Sequence, residues 1–387
     1  MDKNVELSVV MPCLNEEETI GDCVTKAFNS FAEIGISGEV LVVDNGSTDK
    51  SVEIAKNAGA RVVAEEVRGY GSALKRGFKE SYGKYIIMGD ADSTYDFSKI
   101  NNFVVLLKEG ADLVMGSRLR GKIHPKAMPW LHRWIGTPFL TRIINLFFKV
   151  NISDVNCGLR GFKKESISKL DLKCGGMEFA SEMVAKAGQK KLSIKEIPIN
   201  YYPTSSNRIP SLRSFYDGWR HLRFMLVFSP KYLFLYPGLA IFLFGLIFTA
   251  ILLFKTIFIF DLPLGLSTAI FANACLLMGI QIIFFGIYAI ILNSSKGLIE
   301  PDRISKFFKN NFTLERGLIL GGIVFGLGII TGLVTLYLLL KFTVSFPNVH
   351  VPLTKLAIVA IFVVLLGIQI IFSSFYISLF NTTETLD

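Results

Sequence analysis

The second half of the chain is dominated by four long apolar stretches that contain no Asp, Glu, Lys or Arg. They are Tyr232–Phe254, Gly265–Leu292, Gly317–Leu340 and Leu356–Phe380. A helix needs roughly 20 apolar residues to cross the hydrocarbon of a bilayer, and each stretch is at least that long. We therefore predict an all-α transmembrane domain over residues 232–387, with four helices arranged in two hairpins.

The first half alternates short strand-like runs with helical patterns, which is typical of an α/β domain with a mostly parallel sheet. Strands are predicted at Leu7–Met11, Glu39–Val43, Arg61–Ala64, Tyr85–Met88 and Asp112–Met115. Helices are predicted at Glu16–Phe31, Asp49–Ala58 and Gly71–Ser81. We place this domain at residues 1–206. Residues 207–231 are predicted to form a juxtamembrane segment whose amphipathic helix, Ser211–Phe228, lies at the membrane interface.

The distribution of basic residues predicts the orientation in the membrane. Because the number of spans is even, the first domain and the C-terminus must lie on the same side. The connection Asn293–Arg316 carries five basic residues, whereas Lys255–Leu264 and Phe342–Lys355 carry one each. Since positively charged connections stay in the cytoplasm, both the first domain and the C-terminus are predicted to be cytoplasmic.

Composition narrows the class of protein and its partners. A chain that is 51% hydrophobic and 19% charged is too apolar for an ordinary soluble protein. The net charge of +9 comes with basic residues gathered beside the spans, which favours membrane lipid or a phosphorylated lipid over nucleic acid as the partner. The five cysteines include no Cys-x-x-Cys pair, so neither a disulfide framework nor a zinc site is indicated.

Polar residues follow three of the predicted strands, in Pro12–Glu17, Asp44–Asp49 and Gly89–Asp92. Ligands of open parallel sheets bind beyond the carboxyl ends of the strands. Asn, Asp and Gly also build turns and caps, but three such segments on one edge predict a binding site. Magnesium prefers carboxylates and substrate phosphates, so we predict that Asp90 and Asp92 hold Mg²⁺ or Mn²⁺.

Two common nucleotide-binding motifs are missing. The sequence contains no Gly-x-x-x-x-Gly-Lys-Ser/Thr loop, and Gly69-Tyr70-Gly71 lacks the third glycine of a dinucleotide fingerprint. The segment Arg68–Gly77 is predicted instead to let the backbone approach a donor substrate. A plain turn from strand to helix explains its glycines nearly as well.

Seven motifs spread over the first half carry a family resemblance. They are Val9–Glu16, Val42–Asp49, Arg68–Ala73, Asp90–Asp92, Gly116–Arg118, Asp154–Phe162 and Gly176–Met183. Together they resemble family 2 glycosyltransferases of the GT-A fold, in particular polyprenyl-phosphate sugar synthases such as dolichol-phosphate mannose or glucose synthase. The resemblance implies an α/β GT-A domain followed by the all-α transmembrane domain.

The resemblance also implies where a nucleoside-diphosphate sugar would bind. In the family, the first loop and the aspartate matching Asp44 hold the nucleotide, and the Asp-x-Asp pair holds a metal on the diphosphate. Arg208 stands where a further family arginine contacts the diphosphate. The other implied donor-binding residues are Pro12, Leu14, Asn15, Glu16, Asn45, Gly46, Gly69, Gly71, Asp90, Ala91 and Asp92.

Arginines are the candidates for binding the phosphate of a lipid acceptor, because the planar guanidinium suits phosphate oxygens. The family's acceptor arginine matches Arg133 in Trp130-Leu131-His132-Arg133, and Arg118 is assigned the same role. Arg160 is a further candidate. Each of these arginines is alternatively an ordinary surface charge, and Arg160 is alternatively the ion-pair partner of Asp154.

The implied reaction is the inverting transfer of a hexose to a polyprenyl or dolichyl monophosphate. A phosphate monoester with a second pKa of about 6 is largely ionised at neutral pH, so no general base is needed. The residues expected to carry the reaction are Asp90, Asp92, Arg118, Arg133 and Arg208. Supporting roles at the sugar or metal are expected for Asp154, Arg160, Glu178 and Glu182, although helix-start or surface placement also explains the acidic ones.

The stretch Trp134–Val150 is predicted to be a helix with an apolar face. That face comprises Ile135, Phe139, Ile143, Ile144, Leu146 and Phe147. Such a face either lies in the membrane interface and guides a polyprenyl chain or packs in the core of the domain.

Departures from the family pattern bear on the sugar. Ser93 and Thr94 stand where mannosyl-type enzymes carry Leu-Gln, and the neighbourhood of Arg208 lacks the expected glycine and Ser-Lys spacing. These differences favour UDP-glucose or a related UDP-hexose over GDP-mannose.

Two other classes stay open. A processive polysaccharide synthase is expected to carry Gln-x-x-Arg-Trp, but Trp130 occupies the glutamine position before Arg133. A non-catalytic sugar or lipid translocase is expected to carry ionisable residues within its spans, and the four predicted spans contain none.

The motif Gly-x-Gln-Ile-Ile-Phe occurs twice, at Gly279–Phe284 and Gly367–Phe372. It indicates either a duplicated hairpin or a chance repetition of aliphatic residues. The transmembrane helices are also candidate contacts for a homo-oligomer.

Overall fold

The computed structural model describes residues 5–204, 214–254, 258–259, 262–263, 265–342 and 350–383. The chain forms two compact units, Met1–Met225 and Leu226–Asp387. The predicted juxtamembrane segment at 207–231 and its neighbouring boundaries stay predictions, and residues 205–213, including Arg208, lie outside the described part of the chain.

The first unit is built on a seven-stranded sheet, which confirms the predicted α/β class. Its strands are β1 Leu7–Cys13, β2 Gly38–Asp44, β3 Arg61–Ala64, β4 Tyr85–Met88, β5 Leu113–Ser117, β6 Arg160–Lys163 and β7 Ile194–Pro198. The strand order is β3-β2-β1-β4-β6-β5-β7, and only β6 runs antiparallel to its neighbours β4 and β5. Neither β6 nor β7 is predicted, because β6 begins and ends with the basic residues Arg160 and Lys163 and β7 contains Lys195 and Glu196.

Helices cover the sheet. In the first unit they are α1 Ile20–Ile34, α2 Ser51–Asn57, α3 Tyr70–Glu80, α4 Asn101–Lys108, α5 Thr137–Phe148, α6 Lys164–Ser168 and α7 Phe179–Gln189, with α8 Ser214–Val227 reaching the boundary between the units. The core strands β1 and β4 are buried along almost their whole length, as expected for parallel strands covered on both faces. Helix α1 contributes Ile20, Val24 and Phe31 to this core.

Helix α5 shows that the predicted single apolar face is wrong. Ile144 is buried in the domain together with Leu140 and Phe148, whereas Phe139 and Leu146 are 53% and 60% exposed. The helix therefore carries two apolar faces on opposite sides, one packed in the core and one open. A π-helical turn, His132–Gly136, precedes the helix.

The second unit contains the helices α9 Tyr236–Phe254, α10 Leu266–Ser295, α11 Arg303–Asn311, α12 Leu314–Phe342 and α13 His350–Thr383, with a short hairpin of β8 Phe258–Ile259 and β9 Leu262–Pro263. Within the described residues, four segments are long and apolar enough to cross a membrane: Lys231–Leu253, Leu266–Ser295, Leu314–Lys341 and Pro352–Phe380. The number and placement of the predicted spans are confirmed.

The fourth apolar helix begins earlier than predicted and includes Lys355, which the sequence analysis placed in the connection before it. The side chain of Lys355 is buried, and its Nζ donates a hydrogen bond of 2.7 Å to the carbonyl oxygen of Leu252. Leu252 lies in the last turn of α9, where carbonyl groups lack helical partners and attract a cation. Lys355 thus ties α13 to the end of α9.

The two hairpins of the second unit pack in the same way, which supports a duplication. A Cβ added to Gly245 of α9 would lie 2.6 Å from the amide nitrogen of Leu276, and one added to Gly328 of α12 would lie 2.6 Å from that of Val364. Likewise, a Cβ on Gly279 would lie 2.6 Å from the Cα of Phe242, and one on Gly367 would lie 2.6 Å from the Cα of Phe325. Small residues let membrane helices approach this closely.

Replacing Gly328 by leucine is expected to destabilise the membrane unit. The new side chain would meet the backbone of Val364, which cannot rotate away, so the cost should be about 1–3 kcal/mol or more. Thermal unfolding of the full-length protein in detergent, followed with a thiol-reactive dye in a background that keeps the buried Cys275 as the single cysteine, measures the effect.

Gly326 provides the matched control, because it lies on the same helix and a Cβ there would meet nothing within 4 Å. The Gly326→Leu variant should melt like the wild type. Equal melting temperatures for the Gly326→Leu and Gly328→Leu variants would contradict the packing described for the hairpins.

Candidate active site

The strand ends converge as the sequence predicts. Strands β1, β2 and β4 are parallel, and β5 runs in the same direction because β6 is antiparallel to both β4 and β5. The residues after β4 and β5 therefore lie at the same edge as the residues before β6. This edge gathers Asp90, Arg118 and Asp154.

The loops after β1 and β2 are joined by hydrogen bonds. Asn15 adopts a left-handed backbone conformation with a φ of 57°. Its side-chain Oδ1 accepts a 2.7 Å hydrogen bond from the backbone amide of Thr48, and its backbone amide donates to Ser47 Oγ at 3.0 Å. Leu14, Asn15 and Gly46 are exposed on this joint surface, while Pro12 and Glu16 are half-buried.

The second loop turns on Asp44 and Asn45. Asp44 accepts hydrogen bonds from the amides of Gly46 and Ser47, at 3.3 and 3.0 Å. Asn45 is buried, and its Nδ2 donates to the carbonyl oxygens of Glu65 and Val67. Its side chain therefore holds neighbouring loops in place, whereas the half-buried Asp44 carboxylate remains at the surface of the site.

Gly69 and Gly71 are required by chain packing. Gly69 has a φ of +144°, and a Cβ on it would collide with the carbonyl oxygen of Gly175. A Cβ on Gly71 would lie 2.7 Å from the carbonyl oxygen of Cys174. A loop at residues 171–176 thus presses directly on the start of α3, which explains both glycines without a ligand.

Asp90 and Asp92 follow β4, and one oxygen of each carboxylate is held by a protein donor. Tyr70 Oη donates to Asp90 Oδ1 at 2.9 Å, while the amide and hydroxyl of Thr94 donate to Asp92 Oδ1 at 3.1 and 2.5 Å. Burial and the nearby charge of Asp92 raise the pKa of Asp90 to about 7. Ala91 between them is buried, and its carbonyl accepts a hydrogen bond from Thr19.

This pair fits a divalent cation that also binds substrate phosphates. In the described ranges, no group of three or more His, Cys, Asp or Glu side chains could hold a metal ion. Magnesium commonly uses only one or two carboxylates and completes its coordination with phosphate oxygens and water. A cation beside Asp90 and Asp92 would also relieve the repulsion that raises the Asp90 pKa.

Arg118 forms a buried salt bridge with Asp154. Its Nε and one terminal nitrogen donate to the two carboxylate oxygens at 2.7 and 2.8 Å, and its amide donates to the same carboxylate at 3.0 Å. The guanidinium also lies 5.1 Å from the ring centre of Tyr201. Arg118 therefore combines a fixed orientation with a position on the edge that carries Asp90.

Arg160 is not the salt-bridge partner of Asp154, so that alternative is wrong. Its guanidinium is fully buried and donates to the carbonyl oxygens of Cys157, Ala180 and Val155 at 2.9, 2.7 and 2.7 Å. These bonds fix the segment that precedes β6 and link it to α7. Surface placement is also wrong for Asp154 and Glu182, since both are fully buried.

Glu182 and Glu178 pair with basic residues. Glu182 accepts hydrogen bonds from the amides of Lys173 and Cys174 and forms a 3.0 Å salt bridge with Lys186. Glu178 forms a 2.8 Å salt bridge with Arg220 of α8. Glu182 therefore anchors the loop at residues 171–176.

The turn before α5 presents Arg133 at the surface among aromatic side chains. The guanidinium lies 5.1 Å from the ring of Trp134, and Trp130 and Trp134 are 67% and 61% exposed. The structure does not pair Arg133 with any acidic side chain of the described residues. Arg208 lies outside those residues.

Three tyrosines at the site are missed by the sequence reasoning. Tyr70 bonds to Asp90, Tyr95 Oη accepts a 2.8 Å bond from the amide of Gly158, and Tyr201 lies beside Arg118. Tyr70 stands inside the segment Arg68–Ala73, which is the only signal that pointed to it. Nothing in the local pattern singles out the other two.

Comparisons with known proteins agree with this architecture. Residues 8–171 match the model of Glycosyl transferase family 2, and residues 287–381 match that of the Glycosyltransferase family 2 C-terminal transmembrane region. The low-salt glycan biosynthesis hexosyltransferase Agl6 of Haloferax volcanii is 39% identical over 95% of this chain and 87% of its own length.

The chain therefore belongs to glycosyl transferase family 2. It is an integral membrane glycosyltransferase in which a GT-A domain precedes a four-helix membrane domain, and the predicted family and fold class are confirmed.

Further relatives match mainly the first unit. The dolichyl-phosphate hexose transferase of Haloferax volcanii is 29% identical over 51% of this chain and 82% of its own length. A crystal structure of glucosyl-3-phosphoglycerate synthase from Mycobacterium tuberculosis aligns with 58% of this chain and 79% of that chain, at 21% identity and a TM-score of 0.46. A superposition of that quality has no bearing on substrates.

Proposed function

We propose that this enzyme transfers a hexose from a nucleoside-diphosphate sugar, with UDP-glucose favoured over GDP-mannose, to a polyprenyl or dolichyl monophosphate. The observation that carries the proposal is the edge of the sheet itself. Two loops that the family resemblance assigns to the nucleotide, carrying Asn15 and Asp44, lie on this edge. The acidic pair Asp90 and Asp92 and the basic Arg118 lie on the same edge. A hexose transferase acting on dolichyl phosphate is among its relatives.

Asp90 and Asp92 would hold Mg²⁺ or Mn²⁺ on the donor diphosphate. The bound cation would offset the negative charge that develops on the departing diphosphate. The side chains themselves are already oriented, since Tyr70 and Thr94 each fix one carboxylate oxygen. Thr94, which stands at the glutamine position of mannosyl-type enzymes, bonds to Asp92 instead, and this difference supports a UDP-hexose.

A site for a lipid phosphate acceptor needs a cationic side chain for the phosphate and an apolar surface for the polyprenyl chain. Arg133 is exposed, and apolar side chains beside it in the same turn and along the open face of α5 are also exposed. These are Trp130, Trp134, Ile135, Phe139 and Leu146. A polyprenyl phosphate has the matching chemistry, an anionic head on an apolar chain. This supports Arg133 and the open face of α5 as the acceptor region.

The chemical step follows from these two substrates. An ionised phosphate oxygen of the lipid attacks the anomeric carbon, and the bond from that carbon to the donor diphosphate breaks with inversion. The nucleoside diphosphate leaves with the bonding electron pair, and no proton has to be removed from the acceptor. Catalysis then consists of positioning two anions and neutralising their charge.

We expect the active site to face the cytoplasm, which is the orientation that the basic connection Asn293–Arg316 favours. Tagging the C-terminus and testing its accessibility to protease in sealed vesicles measures this orientation. Protection of the C-terminus in inside-out vesicles would contradict it.

The proposed reaction is tested with the purified full-length protein in detergent. The protein is incubated with polyprenyl phosphate, Mg²⁺ or Mn²⁺, and radiolabelled UDP-glucose or GDP-mannose in parallel. We expect label to move into the lipid phase with UDP-glucose. Label that enters a water-soluble polymer would point to a processive synthase, and transfer from GDP-mannose alone would overturn the choice of donor.

Replacing Arg133 by alanine is expected to raise the KM for polyprenyl phosphate by about tenfold or more, because a charge-assisted contact to phosphate is lost. The KM for the sugar nucleotide should stay within twofold of the wild-type value. Lys56→Ala is the control, since Lys56 is an exposed basic residue on helix α2, outside the proposed acceptor region. Equal effects of the two substitutions would remove Arg133 from the acceptor site.

A further inference from the structure

We propose that Tyr70 is a positioning residue for the metal site, whose phenol holds Asp90 so that the other carboxylate oxygen faces the cation. The inference rests on the proposed function in one respect, that Asp90 is a metal ligand. It adds to the proposed function a residue, Tyr70, to which the family resemblance assigns no role.

The hydrogen bond that carries the inference runs from Tyr70 Oη to Asp90 Oδ1 and measures 2.9 Å. Within the described residues, it is the one side-chain hydrogen bond that Asp90 makes. The phenol carries the proton and donates the hydrogen bond to the carboxylate, which acts as the acceptor. Oδ1 is thereby occupied, and Oδ2 is left to coordinate.

The backbone around Tyr70 is fixed on two sides. On one side, the amide of Gly69 donates to Asn45 Oδ1 at 2.7 Å, which links Tyr70 to the loop after β2. On the other side, the amide of Ser72 donates to the carbonyl oxygen of Gly175 at 3.2 Å. Tyr70 is the first residue of α3, so both bonds act directly on its position.

The loop that carries Gly175 is itself anchored by buried charges. Glu182 accepts bonds from the amides of Lys173 and Cys174 at 2.9 and 2.8 Å, and Lys186 Nζ donates to the carbonyl oxygen of Asp171 at 2.5 Å. Glu182 and Lys186 are both buried. This ion pair therefore acts on Asp90 through the loop, the start of α3 and the phenol of Tyr70.

These hydrogen bonds fix the position of Tyr70, and Tyr70 in turn orients the carboxylate of Asp90. Partners that hydrogen-bond to a metal ligand orient it, and their removal commonly weakens metal binding by about 10–100-fold. Replacing Tyr70 by phenylalanine keeps the ring and removes only the donor. We therefore expect the dissociation constant for Mn²⁺ to rise by about tenfold or more.

The experiment measures Mn²⁺ binding by electron paramagnetic resonance on the full-length protein in detergent, with saturating UDP. It compares the wild type with Tyr70→Phe and with Tyr85→Phe as the matched control. Tyr85 is a buried tyrosine at the opposite end of β4 from Asp90. Melting temperatures of all three proteins show whether the fold is kept.

Support requires weaker Mn²⁺ binding in Tyr70→Phe alone, with an unchanged melting temperature and with activity recovered at high Mn²⁺. Mn²⁺ binding within twofold of the wild type would overturn the role of Tyr70 while leaving the proposed transfer intact. A fall in melting temperature that accounts for the weaker binding would also overturn it. If the wild type binds Mn²⁺ yet transfers no sugar, the proposed function fails and the binding comparison still decides the role of Tyr70.

Discussion

Replacing Asp92 by alanine is expected to lower the rate of sugar transfer by at least about 10²-fold to 10³-fold, the loss seen when one group that stabilises a transition-state charge is removed. The carboxylate is half-buried at the end of β4, and its hydrogen bonds go only to the neighbouring Thr94 among the described residues. Folding should therefore be little affected. Transfer of label to polyprenyl phosphate, with the melting temperature measured in parallel, checks both parts.

Asp96 offers a closely matched control. It too accepts hydrogen bonds from the amide and hydroxyl of a residue two positions later, Ser98, at 3.0 and 2.7 Å. Asp96→Ala removes the same kind of local turn but no proposed metal ligand, so activity should be retained. A rate for Asp92→Ala close to that of Asp96→Ala would show that Asp92 does not act on the substrate.

Replacing Asp154 by alanine is expected to lower the free energy of unfolding of the first unit by about 3–5 kcal/mol. Asp154 is fully buried and holds Arg118, itself 8% exposed, through two side-chain bonds. Removing the carboxylate leaves a buried cation without its counter-charge, which costs far more than the pair contributes.

The loss is measured by thermal unfolding with a thiol-reactive dye. The Cys157 thiol is fully buried, so in a background that keeps it as the single cysteine the dye reacts only when the unit opens. The double variant Arg118→Met with Asp154→Leu removes both charges and should recover most of the stability, since apolar pairs of similar volume replace buried ion pairs well. A melting temperature for Asp154→Ala equal to the wild-type value would contradict the described salt bridge.

The sequence predicted the parts of the fold that rest on continuous hydrophobic patterns. Strands β1, β2 and β4 consist mainly of consecutive apolar residues followed by polar loops, and the four spans are long apolar stretches, so both were found. The convergence of Asp44, Asp90 and Asp92 followed from the rule that parallel strands end at one edge.

What the sequence could not predict depends on contacts between distant segments. Strand β6 begins with Arg160, a charged residue that the fold buries against the carbonyl oxygens of Val155 and Cys157 and of the more distant Ala180. Tyr70 stands beside Asp90 because Asn45 and the loop at residues 171–176 together fix the start of α3. The contact of Lys355 could not be predicted because its partner, the carbonyl of Leu252, is a backbone group that no side-chain pattern reveals.

The duplication of the membrane hairpins was only partly predictable from the sequence. The repeated Gly-x-Gln-Ile-Ile-Phe motif indicated it, but aliphatic residues repeat by chance in any span. The structure supports it through equivalent glycine contacts and through Tyr288 and Tyr376, which stand at equivalent positions and pack with ring centres 4.7 Å apart. The contact joins α10 to α13, the second helices of the two hairpins.

The most direct test of the central claim is the structure of the product. The donor is a UDP-hexose whose sugar is isotopically labelled and α-linked to the diphosphate, and the lipid product is analysed by NMR. The account predicts a β-linked sugar joined through its anomeric carbon to the lipid phosphate, released by mild acid. An α-linked product, or a sugar joined to a hydroxyl instead of a phosphate, would contradict the proposed inverting transfer to a polyprenyl monophosphate.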